Sequence, residues 1–187
     1  MTITTPLERE IKLRYDSADD ARAAVLSTGA TPLHGRRLQE DALLDTEDEQ
    51  LRRRRCVLRV RTESGKSRLT FKGPVQPSDM KLREEFETLV GDGEVLVRVL
   101  HELGLHEWFR YEKYREEFCH EDVIVAIDET PVGVFVEIEG AETGITAMAQ
   151  SLGKTPADYI LDSYRGLFLA HREAFQLSGR DMVFERP

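Results

Sequence analysis

Cysteine is almost missing from this 187-residue chain, which carries two. Cys56 and Cys119 lie far apart with no Cys-x-x-Cys spacing, so a disulfide framework is excluded as the basis of the fold and reduced thiols are the expectation. No apolar run approaches a membrane span, and Met1 to Leu7 lack the basic leader and apolar stretch of a signal peptide. The expectation is a cytoplasmic protein without a membrane partner. An excess of positive charge is also missing, since 26 Lys and Arg face 35 Asp and Glu for a net charge of -9. Polyanion surfaces need a positive face, so nucleic acid is an unfavoured partner. Arg52 to Arg55 are a local exception, but they follow Glu47, Asp48 and Glu49 and read as a solvated, self-compensated loop. Repeats, low-complexity tracts and Pro/Gly/Ser linkers are lacking too. One domain over residues 1–175 with a loose tail over 176–187 is expected.

What the chain does have is strand periodicity. Eight strand-like stretches are expected, near Pro6 to Arg14, Leu33 to Asp45, Cys56 to Glu63, Arg68 to Gly73, Met80 to Val90, Trp108 to Cys119, Asp122 to Glu129 and Val132 to Gly140. Ser17 and Asp20 start a helix that Gly29 ends, and Leu96, Val99, Leu100 and Leu103 mark a second helix that Gly104 ends. Thr143 to Leu152 reads as helical, and Thr155, Pro156 and Asp158 cap a longer helix through Phe175. Glu63-Ser64-Gly65-Lys66 and Thr130-Pro131-Val132-Gly133 are hairpin turns, which make the sheet antiparallel. Closing it would remove its edges, so the fold class is α+β, an eight-stranded antiparallel closed barrel with flanking helices.

Alternate residues of a strand share a face. On one face fall Glu8, Glu10 and Lys12, then Arg59 and Arg61, Lys72, then Arg83, Glu85 and Glu87, Lys113 and Arg115, Asp128, and Glu137 and Glu139. Their neighbours on the other face are mostly aliphatic. An ordinary wet face would look similar, but it usually mixes in Thr, Ser and Gln. The aliphatic face suffices to pack the helices, so closure would turn the charges inward. Such an interior must be self-paired or filled by charged ligands. Carboxylates suit Mg²⁺ or Mn²⁺, whereas the scattered histidines suggest no soft or imidazole site. Arg and Lys suit phosphate.

These residues stand in an ordered series: Glu8-Arg9-Glu10-Ile11-Lys12, Gln39 to Thr46, Leu58-Arg59-Val60-Arg61, Leu69 to Pro74, Arg83-Glu84-Glu85-Phe86-Glu87, Lys113-Tyr114-Arg115, Asp128 with Gly133, Phe135, Glu137, Ile138 and Glu139, and Ser163-Tyr164 in the following helix. The series resembles the CYTH family, which groups class IV adenylyl cyclases with thiamine and inorganic triphosphatases, and it spans nearly the whole chain. The resemblance implies a triphosphate tunnel in which Glu8, Glu10, Asp128, Glu137 and Glu139 hold Mg²⁺ or Mn²⁺. Lys12, Arg59, Arg61, Lys72, Arg83, Lys113 and Arg115 would hold phosphates, with Glu85 and Glu87 as ligands or as supports of the basic side chains. The implied partner is a triphosphate-bearing small molecule, and a homodimer stays open. Hydrolysis of a triphosphate is the leading expectation. Cyclisation of ATP is the alternative, because the Glu-Ile-Lys ending of the signature is more similar to the branch named for cyclases. A non-catalytic nucleotide or polyphosphate sensor is the second alternative. On this reading, removing Glu10 or Glu137 relieves carboxylate repulsion and leaves the fold intact.

Overall fold

The computed structural model describes residues 7–186. The leader argument over Met1 to Pro6, the strand start expected at Pro6 and the tail's last residue, Pro187, fall outside them. Eight strands form in the expected order: β1 (Leu7–Tyr15), β2 (Thr31–Thr46), β3 (Val57–Glu63), β4 (Lys66–Lys72), β5 (Lys81–Val90), β6 (Leu105–His120), β7 (Val123–Thr130) and β8 (Gly133–Gly140). Every neighbouring pair is antiparallel and the sheet closes in the order β1-β5-β4-β3-β2-β6-β7-β8. Ser64 at φ +50 and Gly65 at φ +75 supply the two positive-φ residues that a tight β3–β4 hairpin requires. Helices α1 (Ala18–Ser27), α2 (Gln50–Arg53), α3 (Gly93–Glu102), α4 (Glu142–Ser151) and α5 (Tyr164–His171) flank the barrel. No helix among the described residues is long and apolar enough to cross a membrane.

The aliphatic columns of β1, β7 and β8 face outward, where Ile11, Leu13, Val125, Ile127, Val136 and Ile138 pack on Ala21 and Val25 of α1 and on Ile145, Met148 and Ala149 of α4. A second cluster joins Leu44 and Val60 to Leu100 of α3. The third is different in kind. Phe109, Tyr111 and Phe135 share their strand faces with Lys113 and Glu137, and Tyr164, Leu167 and Phe168 of α5 close over them at one end of the barrel. The charged columns occupy the space between.

Three local expectations are corrected. The helix expected from Thr155 through Phe175 is broken into a 3₁₀ turn, Pro156–Asp158, and α5. Strand β5 pairs with β1 only as far as Glu10, so the backbone of Lys12 is left free there, and Ile160 leaves helical geometry to exchange two hydrogen bonds with it, 3.1 and 2.9 Å. Ser163 then caps α5 afresh. The basic run is not a solvated loop throughout, because buried Asp45 accepts the backbone N–H of Leu51 at 2.8 Å and of Arg52 at 3.0 Å and so nucleates α2. The loose tail is pinned as well: Met182 is fully buried, exchanges backbone hydrogen bonds with Arg110 and Glu112, and is followed by Arg186, which pairs with Glu112 at 2.8 Å.

Ile138 is fully buried between the barrel and its helices. Ile138→Ala should therefore cost about 2–5 kcal/mol in urea unfolding, and the exposed Leu89→Ala less than about 0.5 kcal/mol.

Candidate functional site

A cavity of about 1040 Å³ runs through the barrel. Glu8, Glu10, Lys12, Arg59, Arg61, Lys72, Arg83, Glu85, Glu87, Lys113, Arg115, Glu137 and Glu139 line it, so strand alternation brings these candidates together. Asp128 is the exception. It faces inward but is fully buried beneath side chains that do reach the cavity. Its Oδ1 accepts from Arg115 Nε at 2.7 Å, and its Oδ2 accepts from Arg115 Nη2 at 2.6 Å, Lys113 Nζ at 2.8 Å and Tyr164 Oη at 2.5 Å. With both oxygens occupied by cations and a phenol, Asp128 anchors Lys113 and Arg115 in this arrangement.

The remaining charges pair mainly in two networks, one around Lys12 and one around Lys72. Lys12 bridges Glu10 at 3.0 Å and Glu137 at 3.1 Å, and Lys81 also reaches Glu10. Glu137 contacts Arg115 and lies 3.8 Å from Lys113. Lys72 holds both oxygens of Glu8, at 2.6 and 2.7 Å, and Glu85 at 3.0 Å. Arg61 forks onto Asp41 at 2.9 and 3.2 Å, and Arg59 lies 3.4 Å from the same carboxylate. Glu87 accepts from Thr70 at 3.0 Å and contacts Arg68. Arg83 spends its guanidinium on the carbonyl of Gly73, at 2.9 and 2.7 Å.

Burial and pairing compete at every group. Burial alone would raise the pKa of Glu10, but Lys12 and then Lys81 hold it well below the usual carboxylate range. Glu137 is likewise held low against burial by Lys113, Lys12 and Arg115. The expectation that losing either carboxylate relieves repulsion is therefore corrected, because the surrounding cations outweigh the acidic neighbours. Burial and then Arg115 push Lys113 down to about 8. Glu139 goes the other way. It sits at the end of the barrel opposite α5, partly open to solvent, yet crowding by the walls and then by Glu8 and Glu10 pushes it up to about 7. Among the described residues no cationic side chain stands within 4.0 Å of Glu139.

That imbalance is a test for a metal. Glu8, Glu10, Glu137 and Glu139 offer hard oxygen donors of the kind Mg²⁺ and Mn²⁺ prefer, and the repulsion at Glu139 is what an added cation would remove. Among the described residues no three acidic, His or Cys side chains form a ready-made cage, because Lys72, Lys12, Lys81 and Arg115 already hold three of the four. The donor chemistry fits, with the lysines in the ion's place.

Several residues of this site escaped the sequence reading. Lys81 precedes Arg83 by two positions and could have been found by the same alternation. Asp41 and Gln39, 2% and 3% exposed, share a column that Leu43 interrupts. The Tyr164 hydroxyl, and Arg52, Arg55, Trp108 and Arg165 at the α5 end of the cavity, depend on contacts that strand period does not encode.

A family model, the CYTH domain, matches residues 6–164. A Methanocaldococcus jannaschii protein provisionally named an adenylate cyclase is 31% identical over 134 residues, which cover 71% of this chain and 76% of that protein. A solved Pyrococcus horikoshii structure superposes with a TM-score of 0.72 at 25% identity, over 88% of this chain and 99% of that one. A Hippeastrum protein, provisionally named an adenylyl cyclase and described as having a dominant triphosphatase activity, superposes with a TM-score of 0.64 at 19% identity, over 88% of this chain and 95% of that one. At that identity the likeness is one of fold.

Asp128→Ala should destabilise the protein by about 3–5 kcal/mol, because it leaves Lys113 and Arg115 buried without their partner. Glu139→Gln, which removes more repulsion from Glu8 and Glu10 than attraction to Lys72, should match or exceed wild-type stability. Urea unfolding without divalent ions checks both, and a stable Asp128→Ala protein would refute the anchor role.

Proposed function

We propose, for a chain that belongs to the CYTH family, that it is a divalent-metal-dependent triphosphatase that seats a triphosphate along the barrel axis and transfers its terminal phosphoryl group to water. One observation carries the reading: cations of the kind that bind phosphate and a group of carboxylates, of which Glu139 has no cationic partner among the described residues, line the same cavity. Glu8, Glu10, Glu137 and Glu139 would hold the Mg²⁺ or Mn²⁺, which when bound would neutralise charge on the phosphate oxygens. Lys12, Arg59, Arg61, Lys72, Arg83, Lys113 and Arg115 hold the phosphates. Glu85 and Glu87 steady Lys72 and Arg59, from which they lie 3.0 and 3.8 Å. Asp128 positions Lys113 and Arg115 from behind.

Phosphoryl transfer asks a protein mainly for positioning and charge stabilisation, and these side chains are built for both. Arg115 is fixed by Asp128 before any ligand arrives, so little ordering remains on binding. Lys12 stays cationic, since Glu10 and Glu137 raise its pKa against burial. An incoming polyphosphate can take over lysines that now satisfy carboxylates, which frees those carboxylates for the ion.

The triphosphatase activity described for the Hippeastrum neighbour supports hydrolysis. The name of the Methanocaldococcus relative supports the second reading, cyclisation of ATP to cyclic AMP and pyrophosphate. Phosphorus NMR of the protein with Mg²⁺ or Mn²⁺ and, separately, tripolyphosphate, thiamine triphosphate and ATP distinguishes them. Orthophosphate release, lowered about 100-fold or more in Glu137→Gln, is the expected result. Cyclic AMP would favour the cyclase, and intact substrates throughout would leave a sensor and sink both.

Lys113 adds a pH signature. A bound polyanion raises its pKa from about 8, so binding takes up protons and affinity falls as pH rises through that value. Calorimetry at pH 8 in buffers of different ionisation enthalpy should register an uptake of about half a proton. Lys113→Arg, which stays charged, should abolish it.

A further inference from the structure

The α5 end of the cavity carries a second group of cations that the triphosphate reading leaves unused. Arg52, on α2, and Arg165, in the first turn of α5, stand over the Trp108 indole with guanidinium carbons 4.4 and 4.9 Å from the ring centroid. Arg55 lines the same opening, held at φ +59, a conformation that costs a non-glycine residue energy. Trp108 belongs by alternation to the outer face of β6. The register shift between Leu43 and Leu44 falls opposite it and accompanies its turn toward the cavity.

Arg55 and Arg165 are poorly compensated, whereas Arg52 is paired. Arg52 pairs with Glu49 at 2.7 Å, and its buried Nε, which donates no hydrogen bond, lies 3.4 Å from the Asp45 carboxylate. Among the described residues, no carboxylate lies within 4.0 Å of Arg55 or Arg165. Burial and then Arg52 lower the pKa of Arg165, against a smaller opposing pull from Glu49. The group is continuous with the tunnel's interior, because Arg83 donates to the backbone carbonyl of Arg55 at 3.4 Å. The opposite end differs in charge, with Glu117 and Glu139 lining it.

Resting on the triphosphatase reading, we propose that Arg52, Arg55 and Arg165 around Trp108 form an outer anion subsite that takes the phosphates of a linear polyphosphate beyond the third. The charge difference between the ends of the cavity sets the chain's direction, with its trailing phosphates on the arginines and its reacting end toward the carboxylates. An aromatic base suits the opening less well, since two guanidiniums already cover the indole.

Trp108 is the chain's single tryptophan, so its fluorescence reports on this opening alone. Stopped-flow mixing with tetrapolyphosphate and Mg²⁺, read before turnover, should change its emission more than tripolyphosphate does. Tetrapolyphosphate should bind about tenfold more tightly, the scale of one charge-assisted contact. In Arg55→Ala/Arg165→Gln that preference should vanish while tripolyphosphate affinity and the unfolding temperature stay at wild-type values. Equal affinity and equal emission change for the two chains in wild type would overturn the subsite and leave the triphosphatase standing, as would a preference that survives in the double variant. A larger emission change with ATP than with tetrapolyphosphate would assign the opening to a base. Failure of tripolyphosphate itself to bind would remove the tunnel reading and the subsite together.

Discussion

Closing a charged sheet into a barrel forces its inward side chains to satisfy one another, because an unpaired charge in that interior is too costly to keep. The chain of pairs from Lys81 through Glu10, Lys12 and Glu137 to Arg115 and Asp128 is the result, with Lys72 between Glu8 and Glu85 beside it. The apolar elements serve this arrangement from outside. Helices α1 and α4 cover β1, β7 and β8, and α3 covers β2 and β3. Helix α5 reaches inward, where the Tyr164 hydroxyl donates to Asp128 and its ring lies 4.7 Å from the Lys113 ammonium. One residue thus closes the barrel's end with its ring and completes the anchor with its hydroxyl.

The period of two made most of this legible. Strand faces, the two hairpins and the closed antiparallel sheet follow from alternation and turn chemistry, with strand ends moved by a few residues. Most candidate residues line the cavity for the same reason. Asp128 differs because alternation gives the side a residue faces and not its depth: it faces inward, but Lys113, Arg115 and Tyr164 converge on it and cover it. Asp41 was hidden by Leu43 in its column, although Arg59 and Arg61 both lean on it.

What the sequence concealed is mainly non-local pairing. Thr155, Pro156 and Asp158 do cap a helical turn, but the unpaired backbone of Lys12, more than a hundred residues earlier, captures Ile160 and ends it. Tertiary hydrogen bonding overrides propensity there. The tail is a similar case, since the docking of Met182 needs a β6 surface that local composition does not announce. Arg52 to Arg55 looked balanced by Glu47, Asp48 and Glu49, yet Asp45 turns the segment into α2 and aims Arg52 at Trp108.

A self-paired interior also bears on the ligands proposed for the tunnel. Were the cations unpaired, the free protein would suffer their repulsion. Were the pairs unstrained, a ligand would gain little by breaking them. The tunnel lies between these limits. Lys113 and Glu139 are among the groups whose charged forms burial and like-charged neighbours disfavour, and they press in opposite directions, one toward an anion and the other toward a cation. A polyphosphate accompanied by a divalent ion relieves both at once, whereas either alone relieves one and leaves the other uncompensated. On the proposed function, coupled binding of anion and metal would follow from the electrostatics of the barrel, before any chemistry is considered.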